Sequence, residues 1–307
     1  MSLWRTLRVV TRGSKLAATQ TGQLVDSLRR ANPSVAFEIV TLKTTGDRVT
    51  DRPLTEFRGT GVFVKELEHA LLNGDADMAM HSLKDVPCDS PSGLTLAAFG
   101  ERADAADVLL NVGNRRLREL PHGAKVGTGS PRRIVQLGAQ RPDLRFERLR
   151  GNLDTRIRKL ETGEYDAIVV AAAGMRRLGI AFADACRLPF DVSLPAVGQG
   201  ILAVECRDDD DAAIAVARTV SHEPSRIAAL VERTIMTAIG GGCSLPLAAL
   251  AEVSGETIRI RACLGDPAAR SIARVERTCD RAAWEEEAAG VARDLLVLCR
   301  EKGIPVP

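Results

Sequence analysis

A glycine-rich turn followed by two arginines is the first feature of this chain that could bind a charged ligand. The segment is Gly127-Thr128-Gly129-Ser130-Pro131-Arg132-Arg133, in which Ser130 is a favourable helix N-cap and Pro131 a favourable first helical residue. A helix N-terminus presents free backbone N–H groups that bind anions. Arg132 and Arg133 fall in the first turn, where the helix dipole disfavours cations unless an anion lies beside them. The pattern predicts an anion site, and the alternative is that both guanidinium groups are solvated.

Further arginines follow predicted strands in the same way. Arg12 and Ser14 lie between a strand and a helix, and Arg150 precedes Gly-Asn, with Arg156 in the next helix. Residues 132–158 contain eight Arg and three acidic residues, a balance of +5. Ligands of open α/β sheets bind beyond the carboxyl ends of the strands, so these residues predict a cleft for a ligand with several carboxylates or phosphates. No Walker lysine pattern is present, so a nucleoside triphosphate is not favoured.

The segment His81-Ser82-Leu83-Lys84-Asp85-Val86-Pro87 offers a carboxylate for catalysis. It leaves a predicted strand and stops at a proline. An Asp at such a strand end, beside Lys84, ionises easily and suits stabilising a cation or transferring a proton. The alternative is that Asp85 caps the turn before Pro87, and spacing alone favours that alternative. We interpret His81 as structural.

The segment Gly240-Gly241-Gly242-Cys243 places a cysteine on a glycine turn. Glycines let the backbone swing a side chain towards a ligand, so Cys243 could be an attachment point or a nucleophile. The alternative is a buried cysteine at a tight turn. The seven cysteines include no C-x-x-C pair and there are only four histidines, so no structural zinc site is expected.

Short apolar runs alternate with helical patterns, which predicts βαβ units and a largely parallel sheet. The predicted strands are Leu7–Thr11, Phe37–Lys43, Met78–His81, Lys125–Gly127, Arg145–Leu149, Ala167–Ala172 and, arriving late, Leu202–Cys206. The predicted helices are Leu16–Ala31, Val62–Leu72, Arg132–Gln140 and Thr155–Thr162, and residues 44–61 are predicted to form a long loop. Beyond Ser221 the order changes to a small α+β domain. Its predicted elements are the helix Ser225–Thr237, the strands Thr257–Leu264 and Ser271–Thr278, and the helix Trp284–Glu301.

Composition narrows the class of protein. The 307 residues are 45% hydrophobic and 27% charged, as in globular proteins, and their number predicts more than one domain. Aromatic residues make up 3% and the net charge is +2 (42 basic minus 40 acidic), which disfavours a nucleic-acid or general polyanion binder. Arg outnumbers Lys 35 to 7, which reflects either coding bias or the use of arginine forks on anionic groups. No signal peptide or membrane-spanning stretch is found, so a cytoplasmic protein with reduced thiols is expected.

In chain order, these segments resemble the porphobilinogen deaminase family, also called hydroxymethylbilane synthases. The resemblance covers nearly the whole chain. The blocks that carry it are Thr11–Ala17 with Gln20, Phe63–Glu68, His81–Pro87, Arg150–Asn152 with Thr155 and Arg156, Ala173–Gly179, Pro195–Gly200, and Gly241–Cys243. One departure is the stretch Arg102-Ala103-Asp104-Ala105-Ala106-Asp107, because the family usually has Arg-Glu-Asp-Pro-Arg-Asp there.

The resemblance implies a transferase of tetrapyrrole biosynthesis. Such enzymes join four porphobilinogen molecules head to tail, release ammonia each time, and hydrolyse off the linear tetrapyrrole hydroxymethylbilane. The product grows on a dipyrromethane cofactor, attached here through a thioether to Cys243. By resemblance, the catalytic residues are Asp85 and Lys84. The implied cofactor-binding residues are Arg132, Arg133, Ser130 and Lys84, and the implied substrate-binding residues are Arg12, Ser14, Gln20, Arg150, Arg156, Arg177 and Gln199.

The family fold implies an α/β protein with two similar, hinged lobes of periplasmic-binding-protein type and a small C-terminal α+β domain. The expected domains are residues 1–102 with 198–220, residues 103–197, and residues 221–307. A chain crossing near Gly198 then returns the late strand to the first domain. We expect a monomer whose partner is porphobilinogen, with no metal, nucleic acid or membrane. The alternatives are a non-enzymatic two-lobed binding protein for small polyanions, and a nucleic-acid binder whose affinity falls steeply with salt.

Overall fold

The structure is a computed structural model that describes residues 6–42, 64–242, 245–268 and 271–306. The predicted loop at 44–61, the first two residues of the predicted helix at Val62, and Cys243 lie outside the described residues. The chain divides into two compact units. The first comprises residues 1–102 and 201–227, and the second comprises residues 103–200 and 228–307.

The first unit is built on a five-stranded mixed sheet. Its strands are β1 (Leu7–Arg12), β2 (Phe37–Leu42), β3 (Met78–Ser82), β4 (Leu94–Phe99) and β9 (Leu202–Arg207), in the order β2-β1-β3-β9-β4. Its helices are α1 (Lys15–Ala31), α2 (Lys65–Leu72) and α6 (Asp211–Arg218). Strands β1, β2 and β3 are parallel, whereas β9 runs antiparallel to both β3 and β4. Two apolar clusters cover the two faces, with Leu24 and Ile214 in one and Leu67 and Leu71 in the other.

The second unit contains two sheets. The first has the order β5-β8-β6-β7, with β5 (Asp107–Asn111), β6 (Lys125–Gly127), β7 (Arg145–Glu147) and β8 (Ala167–Ala171). Its helices are α3 (Pro131–Gln140), α4 (Leu153–Glu161) and α5 (Ala172–Arg177). The second sheet is antiparallel, with β10 (Leu247–Ser254), β11 (Thr257–Asp266) and β12 (Ser271–Asp280), and α8 (Trp284–Glu301) packs on it. Helix α7 (Glu223–Ala238) contains the boundary between the two units.

The predicted fold class is confirmed, but both α/β sheets are more mixed than the sequence pattern indicates. The prediction of a largely parallel sheet fails at β9 and at β5, which is antiparallel to β8. Strands β4 and β5 and helices α5 and α6 are not predicted by the pattern. Helix α4 begins at Leu153 rather than Thr155, because Asn152 takes the extended N-cap conformation. The division into three domains stays a prediction.

Two further features concern membranes and thiols. Within the described ranges, no helix is both long and apolar enough to cross a membrane. The six cysteines in that same part of the chain carry free thiols.

Candidate active site

Asp85 lies on a tight turn at the carboxyl end of β3. Residues Leu83–Asp85 form a single 3₁₀ turn, and the Leu83 N–H donates to the Ile201 carbonyl oxygen at 3.0 Å, just before β9. The Val86 N–H closes the turn on the Leu83 carbonyl oxygen at 3.0 Å. The Asp85 carboxylate is partly buried, and nothing in the described part of the chain donates a hydrogen bond to it or pairs with it. The turn therefore closes through backbone groups, and the turn-capping alternative for Asp85 finds no hydrogen bond to support it.

The predicted residues of the first unit surround the amino end of α1. Arg12 is the last residue of β1 and is partly buried. The Ser14 hydroxyl accepts a hydrogen bond from the Ala17 N–H at 3.2 Å, so it caps α1. Gln20 is buried on α1 and its side-chain oxygen accepts a hydrogen bond from the Ser82 hydroxyl at 3.4 Å. Gln20 thus links α1 to the strand that presents Asp85.

His81 is buried and its imidazole Nε2 lies 3.0 Å from the Glu205 carboxylate. This contact ties β3 to β9, which agrees with a structural role for His81. Glu205 is fully buried, and its second carboxylate oxygen has no partner among the described residues. Burial, together with the charge of Glu205, raises the pKa of the neighbouring Glu68 on α2.

In the second unit, Arg132 and Arg133 both bind the buried carboxylate of Asp107. Arg132 donates through Nη1 at 2.8 Å and through Nη2 at 3.3 Å, and Arg133 donates through Nη2 at 2.7 Å. Arg132 also donates to the Leu194 carbonyl oxygen, and Arg133 to the Val169 carbonyl oxygen at 2.8 Å. The alternative of solvated guanidinium groups is wrong, because the two arginines are only 4% and 6% exposed. The anion beside this helix start is a residue of the protein itself.

Two neutral side chains complete the shell of Asp107. The Ser193 hydroxyl donates to it at 2.9 Å and the Gln199 amide at 3.0 Å. Gln199 is buried and also donates to the Ala105 carbonyl oxygen at 2.7 Å, so its amide is occupied within the protein. Burial would raise the pKa of Asp107, but the charges of Arg132 and Arg133 outweigh it and hold the pKa far below the usual carboxyl range. Asp107 is therefore ionised.

Arg177 is the arginine of this unit that is best placed to receive an external anion. It ends α5, is partly buried, and donates one hydrogen bond to the Gly200 carbonyl oxygen at 2.7 Å. Burial lowers the pKa of Arg177 to about 10, and no carboxylate in the described part of the chain pairs with it. A guanidinium group withdrawn from water without a counter-ion is stabilised by a bound anion.

Arg150 and Arg156 flank a glycine turn. The Arg156 Nε donates to the Gly151 carbonyl oxygen at 2.8 Å, and Arg150 is partly buried beside it. Gly151 has φ of +104°, and a Cβ there would lie 2.9 Å from Thr155 Cγ2. Glycine is therefore required for the turn that presents this carbonyl oxygen to Arg156. Ser130 occupies the N-cap position of α3, as predicted, but its side chain makes no capping hydrogen bond.

Most of the described cysteines are poorly suited to react. Burial raises the pKa of Cys186 and Cys299, of Cys206 to about 12 and of Cys263 to about 11, and the pKa of Cys279 is also raised. A raised pKa leaves little thiolate, which is the reactive form. Cys88 is partly buried. Cys243 lies outside the described residues.

The residue that sequence reasoning missed is Asp107. It starts a short apolar run, Asp107-Val108-Leu109-Leu110, and an acidic residue at the start of a buried strand needs a positive partner. That signal predicts a partner but not which one, because Arg132 and Arg133 follow 25 and 26 residues later. Among the predicted residues, the structure brings Arg132, Arg133 and Gln199 together around Asp107, and Arg156 against the Gly151 carbonyl oxygen.

The family models and the curated relatives that match this chain all belong to the same family. The family model "Porphobilinogen deaminase, dipyromethane cofactor binding domain" matches residues 7–215, and "Porphobilinogen deaminase, C-terminal domain" matches residues 226–296. A porphobilinogen deaminase of Geobacillus kaustophilus is 47% identical over 266 residues, covering 86% of this chain and 85% of the relative. That of Syntrophomonas wolfei is 41% identical over 292 residues, covering 95% of each chain.

Solved structures show only a distant likeness. A YaeC-family lipoprotein from Enterococcus faecalis has a TM-score of 0.43 and 13% identity, covering 74% of this chain and 95% of the other. The periplasmic aliphatic sulphonate binding protein SsuA from Escherichia coli has a TM-score of 0.41 and 13% identity, covering 76% of this chain and 69% of the other.

Proposed function

Because the chain belongs to the porphobilinogen deaminase family, we propose that it joins four porphobilinogen molecules head to tail, with loss of ammonia at each step, and hydrolyses off hydroxymethylbilane. Because this family consists of enzymes, it argues against the alternative of a non-enzymatic anion-binding protein. A cytoplasmic location and a monomeric state stay predictions.

Asp85 is the proposed catalytic group. When ammonia leaves porphobilinogen, the C–N bond electrons go with it and a methylene-pyrrole cation remains, with charge on a pyrrole nitrogen that carries N–H. A fixed carboxylate that accepts this hydrogen bond stabilises the charge as it forms. The same carboxylate can accept the proton that must leave when the coupled ring regains its aromaticity. The observation that carries this proposal is the Asp85 carboxylate, which has no partner in the described chain although it is held on a closed backbone turn.

The arginines are the proposed carboxylate receptors. Each porphobilinogen carries an acetate and a propionate, and guanidinium groups bind carboxylates through two parallel hydrogen bonds. Arg177 supports this role most directly, because it is partly buried without a carboxylate partner in the described chain. Arg12 ends β1, Arg150 follows β7 and Arg156 lies in the first turns of α4, and we assign all three the same role. Ser14, Gln20 and Gln199 stay predicted substrate-binding residues, and each also makes a hydrogen bond within the protein.

The dipyrromethane cofactor fits the charge of the second unit. Arg132, Arg133 and Arg177 are buried or partly buried, and Asp107 balances only one of these three positive charges. When bound, this cofactor supplies the pyrrole end to which substrate is joined. Cys243 is the proposed attachment point, and the burial and raised pKa values of most other thiols support that choice. Arg132, Arg133, Ser130 and Lys84 are the proposed residues that hold its carboxylates.

The function is tested by steady-state turnover of porphobilinogen, with ammonia and hydroxymethylbilane measured together. The wild type should release ammonia and tetrapyrrole in a ratio of about 4:1. Asp85→Asn keeps the size but removes the charge, so turnover should fall roughly a hundredfold or more, as when one preorganised charge-stabilising group is removed. Asp85→Glu should retain some activity because the charge survives, displaced by one methylene.

The thermal midpoint of each Asp85 variant is the control. It should stay near that of the wild type, because Asp85 makes no hydrogen bond within the described chain. A wild type that consumes no porphobilinogen would refute the proposed function. A fully active Asp85→Asn enzyme would refute the catalytic role of this carboxylate.

A further inference from the structure

We propose that Asp107 is an internal counter-carboxylate that keeps Arg132 and Arg133 in position for a ligand and leaves the site one negative charge short. The inference rests on the proposed function in one respect, namely that the ligand carries carboxylates. It assigns a positioning role to a residue that lies outside the predicted catalytic and binding set.

The contacts of Asp107 are those of a complete carboxylate-binding site. Five hydrogen bonds of 2.7–3.3 Å reach its two oxygens from Arg132, Arg133, Ser193 and Gln199. Arg132 uses both of its terminal nitrogens, in the forked geometry that guanidinium groups use for carboxylates. Asp107 is fully buried and the arginines are nearly so, so this geometry is fixed by the fold.

The charges around Asp107 do not balance. Two guanidinium groups face one carboxylate, and the remaining groups in contact are neutral, namely the Ser193 hydroxyl, the Gln199 amide, and the carbonyl oxygens of Leu194 and Val169. One of the two buried guanidinium charges therefore has no counter-ion among these contacts. In addition, the Arg133 Nε is buried and has no hydrogen-bond partner among the described residues. A buried excess charge with an unused donor is costly unless an anion is bound nearby.

The position of the pair on α3 shows why an internal carboxylate is needed. Both arginines lie in the first turn of α3, where the helix dipole repels cations. Without Asp107, two like charges would repel each other and move apart into solvent. Asp107 neutralises one of them and fixes both side chains, so a ligand carboxylate meets donors that are already oriented.

Asp104 provides a matched comparison within the same segment. It also pairs with two arginines, Arg176 at 3.1 Å and Arg187 at 3.0 Å. The side chains of those arginines are 59% and 35% exposed, so water can screen their charges. Removing Asp104 therefore uncovers solvated charge, whereas removing Asp107 uncovers buried charge.

The test measures stabilisation by a simple dicarboxylate. Each full-length variant carries Cys243→Ala, so that no covalently held ligand competes with the probe. Thermal midpoints are recorded with sodium succinate and with sodium chloride at equal ionic strength, and the difference is the carboxylate-specific shift. Asp107→Asn should lower the midpoint in chloride, and its succinate shift should fall to half that of the parent or less, because Arg132 and Arg133 lose the carboxylate that orients them. Asp104→Asn should leave the parent's succinate shift unchanged.

A purely structural Asp107 predicts a different outcome. In that case Asp107→Asn lowers the midpoint equally in both salts, and the proposal is overturned. If Asp107→Asn does not fold, the Arg133→Gln variant tests the proposal instead. This variant leaves Arg132 and Asp107 as an ion pair with no net charge. The proposal then requires the succinate shift of Arg133→Gln to be at most half that of the parent, and an unchanged shift overturns it. The proposed function fails separately, if the wild type does not consume porphobilinogen.

Discussion

Two aspartates of this chain are held in opposite ways. Asp107 is fully buried and receives five hydrogen bonds, whereas Asp85 is partly buried and receives none from the described residues. A carboxylate whose two oxygens are both occupied holds its neighbours in place and leaves no oxygen free for the substrate. A carboxylate fixed by its backbone, with both oxygens free, can meet a charge that forms on the substrate.

The stability contribution of Asp107 should depend on pH. Its folded-state pKa lies far below the unfolded value of about 3.9, so its contribution is present above that value and is lost as the pH falls below it. Asp107→Asn should cost about 3–5 kcal/mol near pH 7, because it leaves buried arginines without their counter-ion. Urea unfolding of both proteins from about pH 7 to pH 2 should show a constant difference above about pH 5 that shrinks below about pH 4. A difference that stays constant to the lowest pH would contradict the ion pair.

Arg177 should matter for substrate rather than for folding. Arg177→Leu removes a partly buried anion receptor, and losing such a desolvated partner costs about 2 kcal/mol or more, roughly a 30-fold fall in kcat/KM. The control is Arg293→Leu, since Arg293 is exposed on α8. Steady-state kinetics with porphobilinogen should show the loss for Arg177→Leu alone. Equal kcat/KM values for both variants would remove Arg177 from the binding set.

At the scale of elements, the turn between β7 and α4 carries the most specific sequence requirement. Gly151→Ala should destabilise the protein by about 1–3 kcal/mol, because φ of +104° is strained for alanine and its Cβ would contact Thr155. Gly163→Ala is the control, since φ there is +74° and no atom lies within 4 Å of a new Cβ. Urea unfolding should rank Gly151→Ala as the more damaging change. Adding Thr155→Ser should recover part of the loss, and no recovery would contradict the steric explanation.

Local sequence patterns predicted which segments form strands better than they predicted which strands pair with one another. The apolar run at Leu202 predicted a late strand, and β9 is present. Its antiparallel place between β3 and β4 was not predictable, because it depends on contacts such as His81 with Glu205, 124 residues apart. Strand β4 contains an irregular register between Leu96 and Ala98, which weakens the alternation that would have marked it.

For the candidate site, the sequence likewise indicated which residues to consider but not how their side chains are oriented. Strand ends and glycine turns indicated Asp85, Arg150 and Arg156 as candidates, although spacing alone favoured a turn cap for Asp85. The inward orientation of Arg132 and Arg133 was not predictable, because local spacing favoured an external anion and carried no sign of Asp107. Charge patterns identify residues that need an anion, whereas the three-dimensional structure decides whether that anion is internal.

At the scale of the whole molecule, the account requires one covalent anchor for the growing product. The most direct measurement is the intact mass of the purified chain, followed by peptide mapping. The account predicts added mass equal to two linked pyrrole units, located on Cys243 within residues 240–246, and absent from Cys243→Ala. The loss of that ligand should also lower the thermal midpoint of Cys243→Ala, since a ligand that binds only the folded state stabilises it. An unmodified Cys243 in protein that turns over porphobilinogen, or an adduct on Cys88, would contradict the account.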